Sequence, residues 1–457
     1  MRPTTLLRVA QTLDAELTAG DGAALVRGAT ADSRVVREGD LFFALRGRTD
    51  GADFAPEAYL RGAVAAVSTR PLEVPTLVVA DPLEALQRLA RWTLLRTEAP
   101  LVIGITGTVG KTTTKDTLAT VLRYAGKRVS ATAGNFNNEV GLPLTVLAAE
   151  PRTEVLVLEM GATHAGDIAH LCGIAPPKIG VLTAISPVHL DSFGSLGALA
   201  AAKGELALAL PESGTLVSPS GAPEAATAPG RKLKRRITFG RGDAGGADLR
   251  ASEIEEREEG LRFLVHLGDR SAEVRSSVFG THLVEPLLAA LGGALALDLD
   301  LERCARGVSR LRRTGLRGEV YRLRDDILVY DDSYNASPAA VSAVLRYGAQ
   351  QASRQRRRLV AVLGGMFELG AAARTYHQEA GKLAEEVGVD LLVCVGDEAR
   401  WYAEAFSGET LFYESAEASA DHLEERLQSG DYVIVKGSRG VGLDTLTRKL
   451  KESLALV

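Results

Sequence analysis

Short, almost unbroken apolar runs recur along this chain. Leu101 to Ile105 (LVIGI), Val155 to Met160 (VLVLEM) and Ile179 to Ala184 (IGVLTA) are too short for helices. They also lack the alternation of a strand with one wet face, so they predict strands of a parallel sheet covered on both sides. Helical patterns separate them, and the centre of the chain therefore reads as a doubly wound, mainly parallel α/β domain. An earlier set, Leu41 to Ala44 (LFFA), Ala65 to Ser68 (AAVS) and Thr76 to Val79 (TLVV), predicts a small α/β domain in front of it. A later set, Arg358 to Leu363 (RLVAVL), Leu391 to Val395 (LLVCV) and Tyr432 to Val435 (YVIV), predicts a Rossmann-like domain behind it. The division is then 1–98, 99–312 and 313–457, with Arg310 to Gly318 as a hinge and 218–250 as a long surface connection.

A chain of 457 residues is too long for one ordinary core, which agrees with three domains. Lys and Arg total 53 against 58 Asp and Glu, a net charge of -5, so no global basic field attracts nucleic acid. The basic run Arg231 to Arg236 (RKLKRR) is expected to be a solvated loop. Cys172, Cys304 and Cys394 are far apart, with no metal-ligand spacing and no disulfide framework, which suits a reducing cytoplasm. No run approaches the length of a membrane span, so membrane insertion is not expected.

The most specific local signal is GITGTVGKTTTKD, 104–116, between a predicted buried strand and a predicted helix from Thr112 to about Tyr124. Glycines at 107 and 110 let backbone N–H groups turn toward phosphates, Lys111 supplies a cation, and the Thr112 hydroxyl can reach a magnesium ion. The spacing departs from the usual phosphate loop, because Ile105 stands where a glycine is required. Glu159 ends an otherwise apolar strand at its carboxyl edge, where open parallel sheets place ligands, and His189 follows the next strand in ISPVHLDSFG. Each alone has a bland alternative, a solvated strand end and a structural histidine. Lys203 lies in an Ala- and Leu-rich helical stretch, and periodicity alone favours a surface lysine with a snorkelling stem.

Taken together, these blocks closely resemble the Mur ligase family over nearly the whole chain. The blocks are DSR (32–34) with GDLFFALRGRTDGADF (39–54), the phosphate loop, GNFNNEVGLP (134–143), LEMGATHAGDI (158–168), ISPVHLDSFGS (185–195), AKGE (202–205), DDSYNASP (331–338) and VKGSRGVGLD (435–444). GNFNNEVGLP and DDSYNASP resemble the member that adds D-alanyl-D-alanine to UDP-N-acetylmuramoyl-tripeptide. The resemblance implies an ATP-dependent ligase of cytoplasmic peptidoglycan precursor synthesis, acting as a monomer on those two substrates. It implies that Gly107, Thr108, Gly110, Lys111, Thr112 and Thr113 hold ATP, helped across the hinge by Arg317 and Asp332. Thr112, Glu159, His189 and a carbamylated Lys203 would hold magnesium, two ions in all, and with Lys111 would carry the chemistry. Ser33 and Arg34 would meet the UDP moiety, and Asn135, Asn138, Tyr334, Asn335, Ser438 and Arg439 the peptide parts. Three departures stand out: Leu283 and Pro286 replace a usual Asn pair near the adenine, Gly365 replaces a usual Asp, and Val109 replaces a common Asn. Two alternatives stay open, another ligase of the superfamily (a third-residue-adding enzyme or a folylpolyglutamate synthase) and a non-catalytic nucleotide-binding regulator.

Overall fold

The computed structural model describes every residue except 48, 97–98, 187–192, 243–245, 258–259, 312–317 and 455–457, and the backbone alone of 421. Its strands are assigned to a ribbon and three sheets. Near the N-terminus, β1 (Thr4–Thr5) and β3 (Leu25–Val26) form an antiparallel ribbon. Strands β2 (Glu16–Leu17), β4 (Gly28–Thr30), β5 (Asp40–Phe43), β6 (Ala65–Ser68) and β7 (Thr76–Val78) build the first sheet, in the order β2-β7-β6-β5-β4.

The central sheet takes β8 (Leu101–Thr106), β9 (Val129–Ala131), β10 (Val155–Glu159), β11 (Ile179–Leu182), β12 (Thr215–Pro219), β13 (Arg235–Arg241), β14 (Leu249–Arg257), β15 (Gly260–Leu267) and β16 (Arg270–Ser276). Their order is β16-β15-β14-β13-β12-β11-β8-β10-β9, parallel from β9 to β14 and closed by an antiparallel meander. The third sheet has β17 (Glu319–Arg322), β18 (Leu328–Asp331), β19 (Leu359–Gly364), β20 (Leu391–Val395), β21 (Glu409–Tyr413) and β22 (Tyr432–Lys436), in the order β17-β18-β22-β19-β20-β21. Only β17 runs antiparallel to its neighbour there. The apolar runs therefore sit where a doubly covered parallel sheet needs them, and β8, β10 and β11 are buried almost throughout.

Two expectations are corrected. The stretch 218–250 is not one long connection, because β13 lies inside it and pairs in parallel with β12 and β14. Its alternation was masked by arginines whose alternate neighbours Ile237 and Phe239 are buried. Nor is RKLKRR simply solvated. Arg231 donates to the Leu210 carbonyl at 2.8 Å, Arg235 to that of Leu295 at 3.1 Å, and Arg236 to those of Thr227 and Ala228 at 2.8 Å. These guanidiniums satisfy carbonyls at helix ends, where cations are favoured. The expected hinge falls largely in 312–317, outside the described residues.

One packing contact brings the helix Leu196–Ala209 onto the central sheet. Ser195 caps it, its hydroxyl accepting from the Ala198 N–H at 3.1 Å. Gly104 of β8 and Gly180 of β11 are register partners, and together they leave a groove. Leu206 fills that groove, within 3.0 Å of where a side-chain carbon on Gly104 would stand and 3.2 Å of one on Gly180. Lys203 lies almost one turn before Leu206, so this contact fixes its height against the sheet. Among the described residues no helix is long and apolar enough to cross a membrane.

Gly180→Val should therefore lower stability by about 1–3 kcal/mol through overpacking, and Leu206→Ala in the same chain should recover part of that loss. Thermal unfolding of the two single variants and the double variant checks this; strictly additive losses would show that the groove does not hold Leu206.

Candidate active site

The loop 107–110 leaves the carboxyl edge of β8 and opens directly into the helix Lys111–Tyr124. Gly110, at φ 84°, makes the left-handed turn that starts this helix, and a side chain there would press on Pro286. The loop is braced from β11: the Thr108 N–H donates to the Ala184 carbonyl at 2.9 Å, and the Thr183 hydroxyl donates to the Val109 carbonyl at 2.6 Å. The Lys111 ammonium donates to the carbonyls of Gly107 at 2.9 Å and Thr108 at 3.3 Å, which keeps its charge over the loop. The positive end of the helix and the ammonium together make this edge suited to meeting an anion.

Glu159 stands opposite. It ends β10, is the register partner of Ile105 in β8, and is 3% exposed. One carboxylate oxygen accepts from the Thr112 hydroxyl at 2.8 Å, the other from the Asn137 amide at 2.9 Å. Its own N–H donates to the Thr132 hydroxyl at 3.0 Å, fixing the strand end. The result is a pair of hard oxygen donors beside an anion site. Among the described residues no three His, Cys, Asp or Glu side chains converge to hold a metal ion by themselves. The Thr112 and Glu159 oxygens still fit magnesium, which keeps waters and takes most of its remaining ligands from substrate phosphates.

Lys203 is not the surface lysine that helix periodicity favoured. It is 2% exposed, donates to the Ala162 carbonyl at 3.2 Å and lies 5.4 Å above the Phe193 ring. Burial, and then the charge of Lys111, push its amine down to about 7, while Asp167 and Glu205 pull the other way. Glu205 accepts from the N–H groups of Gly166 at 2.7 Å and Ala169 at 2.9 Å, pinning the start of the helix Asp167–Ile174 next to it. Near neutral pH a large share of this lysine is a free amine, hence a nucleophile.

The remaining predicted residues are placed as follows. Ser33 is buried and donates to Glu57 at 2.8 Å. Arg34 is exposed and forks onto Asp32 at 2.8 and 2.7 Å, and its hydrogen bonds hold the Asp32 carboxyl down at about 2. Thr113 lies in the first turn of the Lys111–Tyr124 helix. The Asn135 carbonyl accepts from the Asn137 N–H at 2.7 Å, and Asn138 accepts from the Gly141 N–H at 2.8 Å at the start of the helix Gly141–Ala148. Asp332 pairs with Lys436 at 2.6 Å, which also donates to the Asn335 carbonyl at 2.6 Å. Ser438 accepts from the Phe367 N–H at 2.9 Å, and Arg439 pairs with Asp444 at 3.0 Å while facing the Tyr334 ring at 5.9 Å. His189 and Arg317 lie outside the described residues.

At the departures, Pro286 packs on the phosphate loop and its carbonyl accepts from the Thr114 hydroxyl at 3.2 Å. At Gly365 the Glu398 side chain fills the space a residue there would use, within 3.3 Å. The reading of motifs missed Asn137, which alone of the three Asn in GNFNNEVG touches Glu159; only the loop geometry selects it. It also missed Lys436, 3% exposed, whose signal was a lysine at the carboxyl end of an apolar strand.

Comparison with known proteins supplies the context. The model for the Mur ligase family catalytic domain matches residues 25–91, that for the Mur ligase middle domain 105–294, and that for the Mur ligase glutamate ligase domain 316–439. The chain is 37% identical to UDP-N-acetylmuramoyl-tripeptide–D-alanyl-D-alanine ligase of Mycobacterium bovis, over 92% of this chain and 91% of that one. It is similar to a crystal structure of MurF from Acinetobacter baumannii, with a TM-score of 0.86 and 28% identity over 99% of this chain and 100% of that one. It is also similar to MurF ligase from Thermotoga maritima in complex with ADP, with a TM-score of 0.80 and 30% identity over 93% and 97% of the two chains. On this identity and coverage, the chain belongs to the Mur ligase family.

Proposed function

We infer that this protein joins D-alanyl-D-alanine to UDP-N-acetylmuramoyl-tripeptide at the expense of ATP, releasing ADP and phosphate, as a cytoplasmic and monomeric enzyme of peptidoglycan precursor synthesis. The observation that carries this reading is the convergence of a phosphate loop, the Thr112–Glu159 oxygen pair and a buried, easily deprotonated Lys203 at one edge of the central sheet. The domain division is 1–98 for the UDP moiety, 99–312 for ATP and 313–457 for the dipeptide.

Gly107, Thr108, Gly110, Lys111, Thr112 and Thr113 hold the phosphates, with Asp332 and Arg317 reaching the nucleotide from the third domain. Lys111 offsets the repulsion that arises when the terminal carboxylate of the tripeptide approaches the γ-phosphate. Thr112, Glu159, His189 and Lys203 would hold magnesium, which would supply the remaining positive charge. The carboxylate oxygen bonds to the γ-phosphorus as the bond to ADP breaks, giving an acyl phosphate. The free amine of the dipeptide then attacks the acyl carbon, and phosphate leaves as the amide forms.

Lys203 serves as a carbamate. Its lowered basicity leaves a free amine whose nitrogen bonds to carbon dioxide and releases a proton, giving an anionic oxygen ligand where the ammonium would repel a metal. Ser33 and Arg34 contact the UDP moiety. Asn135, Asn138, Tyr334, Asn335, Ser438 and Arg439 line the path of the peptide parts, Asn138 offering only its amide NH2 because its oxygen caps a helix. An acyl phosphate hydrolyses readily, so closure of the three domains excludes water during turnover.

The direct test is incubation of UDP-N-acetylmuramoyl-tripeptide, D-alanyl-D-alanine and ATP with the protein, following ADP and product mass; no pentapeptide product would overturn the reading. Lys111→Ala should cut the rate by about 100- to 1,000-fold or more, and near-normal turnover in that variant would contradict the role of the loop. Lys203→Ala should lose activity and regain part of it with acetate or another short carboxylate, as measured by phosphate release. Because the free amine is the form that adds carbon dioxide, label from bicarbonate at Lys203 should fall as pH drops below about 7. No label at any pH would remove the carbamate.

A further inference from the structure

Lys115 and Asp116 close the block GITGTVGKTTTKD, yet the proposed chemistry uses neither. Lys115 lies three residues after Thr112 in the helix Lys111–Tyr124, so the two side chains share one face of it. It is 4% exposed, and a charged side chain is seldom buried this far unless it is paired. Its ammonium pairs with Asp116 at 3.0 Å and donates to the Thr132 carbonyl at 2.8 Å. Taking a cation out of water is costly, and an apolar side chain of the same length would avoid that cost. What the lysine adds is the bond to Thr132.

Thr132 follows β9 directly and is buried. Its N–H donates to the Val157 carbonyl at 3.0 Å, and its hydroxyl accepts from the Glu159 N–H at 3.0 Å, so it grips the end of β10 on both sides of Leu158. Its carbonyl is left for Lys115. The helix that carries Thr112 and the strand that carries Glu159 are therefore tied twice. One tie is the direct hydrogen bond between the Thr112 hydroxyl and the Glu159 carboxylate, made by two side chains that would hold magnesium. The other runs from Lys115 through Thr132 to the Glu159 backbone and involves neither of those side chains. It is independent of whatever their oxygens bind.

Resting on that reading, we propose that Lys115 is a positioning residue for the metal ion: through Thr132 it holds the strand end that carries Glu159 against the helix that carries Thr112. Asp116 balances its charge, so the ammonium adds little repulsion beside a divalent cation.

Manganese binding tests this apart from turnover. The protein is titrated with Mn2+ in the presence of ADP, and free Mn2+ is followed by electron paramagnetic resonance. Lys115→Met keeps the length and loses the donor, and Thr132→Val keeps the shape and loses the hydroxyl. Each should weaken Mn2+ by about tenfold or more, as the loss of a residue that orients a metal ligand does. Thr132→Ser should recover most of the affinity lost in Thr132→Val. Because both changes break the same link, the double variant should bind about as weakly as the weaker single one. Affinity for ADP without metal, measured by calorimetry, should stay at the wild-type level, which a general loss of structure would not allow. Thr132→Val leaves Lys115 and its carbonyl partner in place, so it decides the question even where Lys115→Met fails to fold. Unchanged Mn2+ affinity in a folded single variant, losses that add in the double variant, or an equal loss of ADP affinity would overturn the link and leave the ligase reading intact. A wild type that makes no pentapeptide would overturn the ligase reading, while the manganese titration still decides the link.

Discussion

The hydrogen bond between the Thr112 hydroxyl and Glu159 joins the start of the helix after the loop to the neighbouring strand, and most of the site's geometry follows from it. It exists because β8 and β10 are parallel neighbours in a register that sets Glu159 beside Ile105, two residues before the loop begins. A one-residue slip would turn Glu159 to the other face of the sheet and separate these oxygens. The register is held by apolar pairs along both strands, so burial of Val102, Ile103, Leu156 and Val157 is what sets the position of a polar pair.

A second constraint acts on Lys203. A lysine this deeply placed costs stability while charged. Two features make the arrangement tolerable: Leu206 anchors its helix in the glycine groove, and the Ala162 carbonyl accepts from the amine. The neighbouring Lys111 adds repulsion that helps lower its basicity. Two lysines at one edge of a sheet thus differ, one held over the loop by its carbonyls and the other buried with lowered basicity.

Much of this was legible in the chain. Buried parallel strands announce themselves as apolar runs, and the turn from strand to helix at Gly110 was marked by the Gly, Lys and Thr in sequence there. Strand β13 was obscured because it opens on two adjacent arginines that satisfy carbonyls, a tertiary role with no sequence period. Lys203 misled helix periodicity for a related reason: its partners, Ala162, Phe193 and Lys111, are distant in sequence, and nothing local records its burial. The choice among Asn135, Asn137 and Asn138 depended on which way one loop turns. The pairing of Asp332 with Lys436 depended on β18 and β22 being neighbours despite lying far apart in the chain.

The central claim is that the peptide carboxylate attacks the γ-phosphorus over this loop. It is tested most directly by placing heavy oxygen in the terminal carboxylate of the tripeptide and analysing the phosphate released during ligation. The account predicts one labelled oxygen in each phosphate, carried over from the acyl phosphate. Unlabelled phosphate released alongside normal amide product would contradict it.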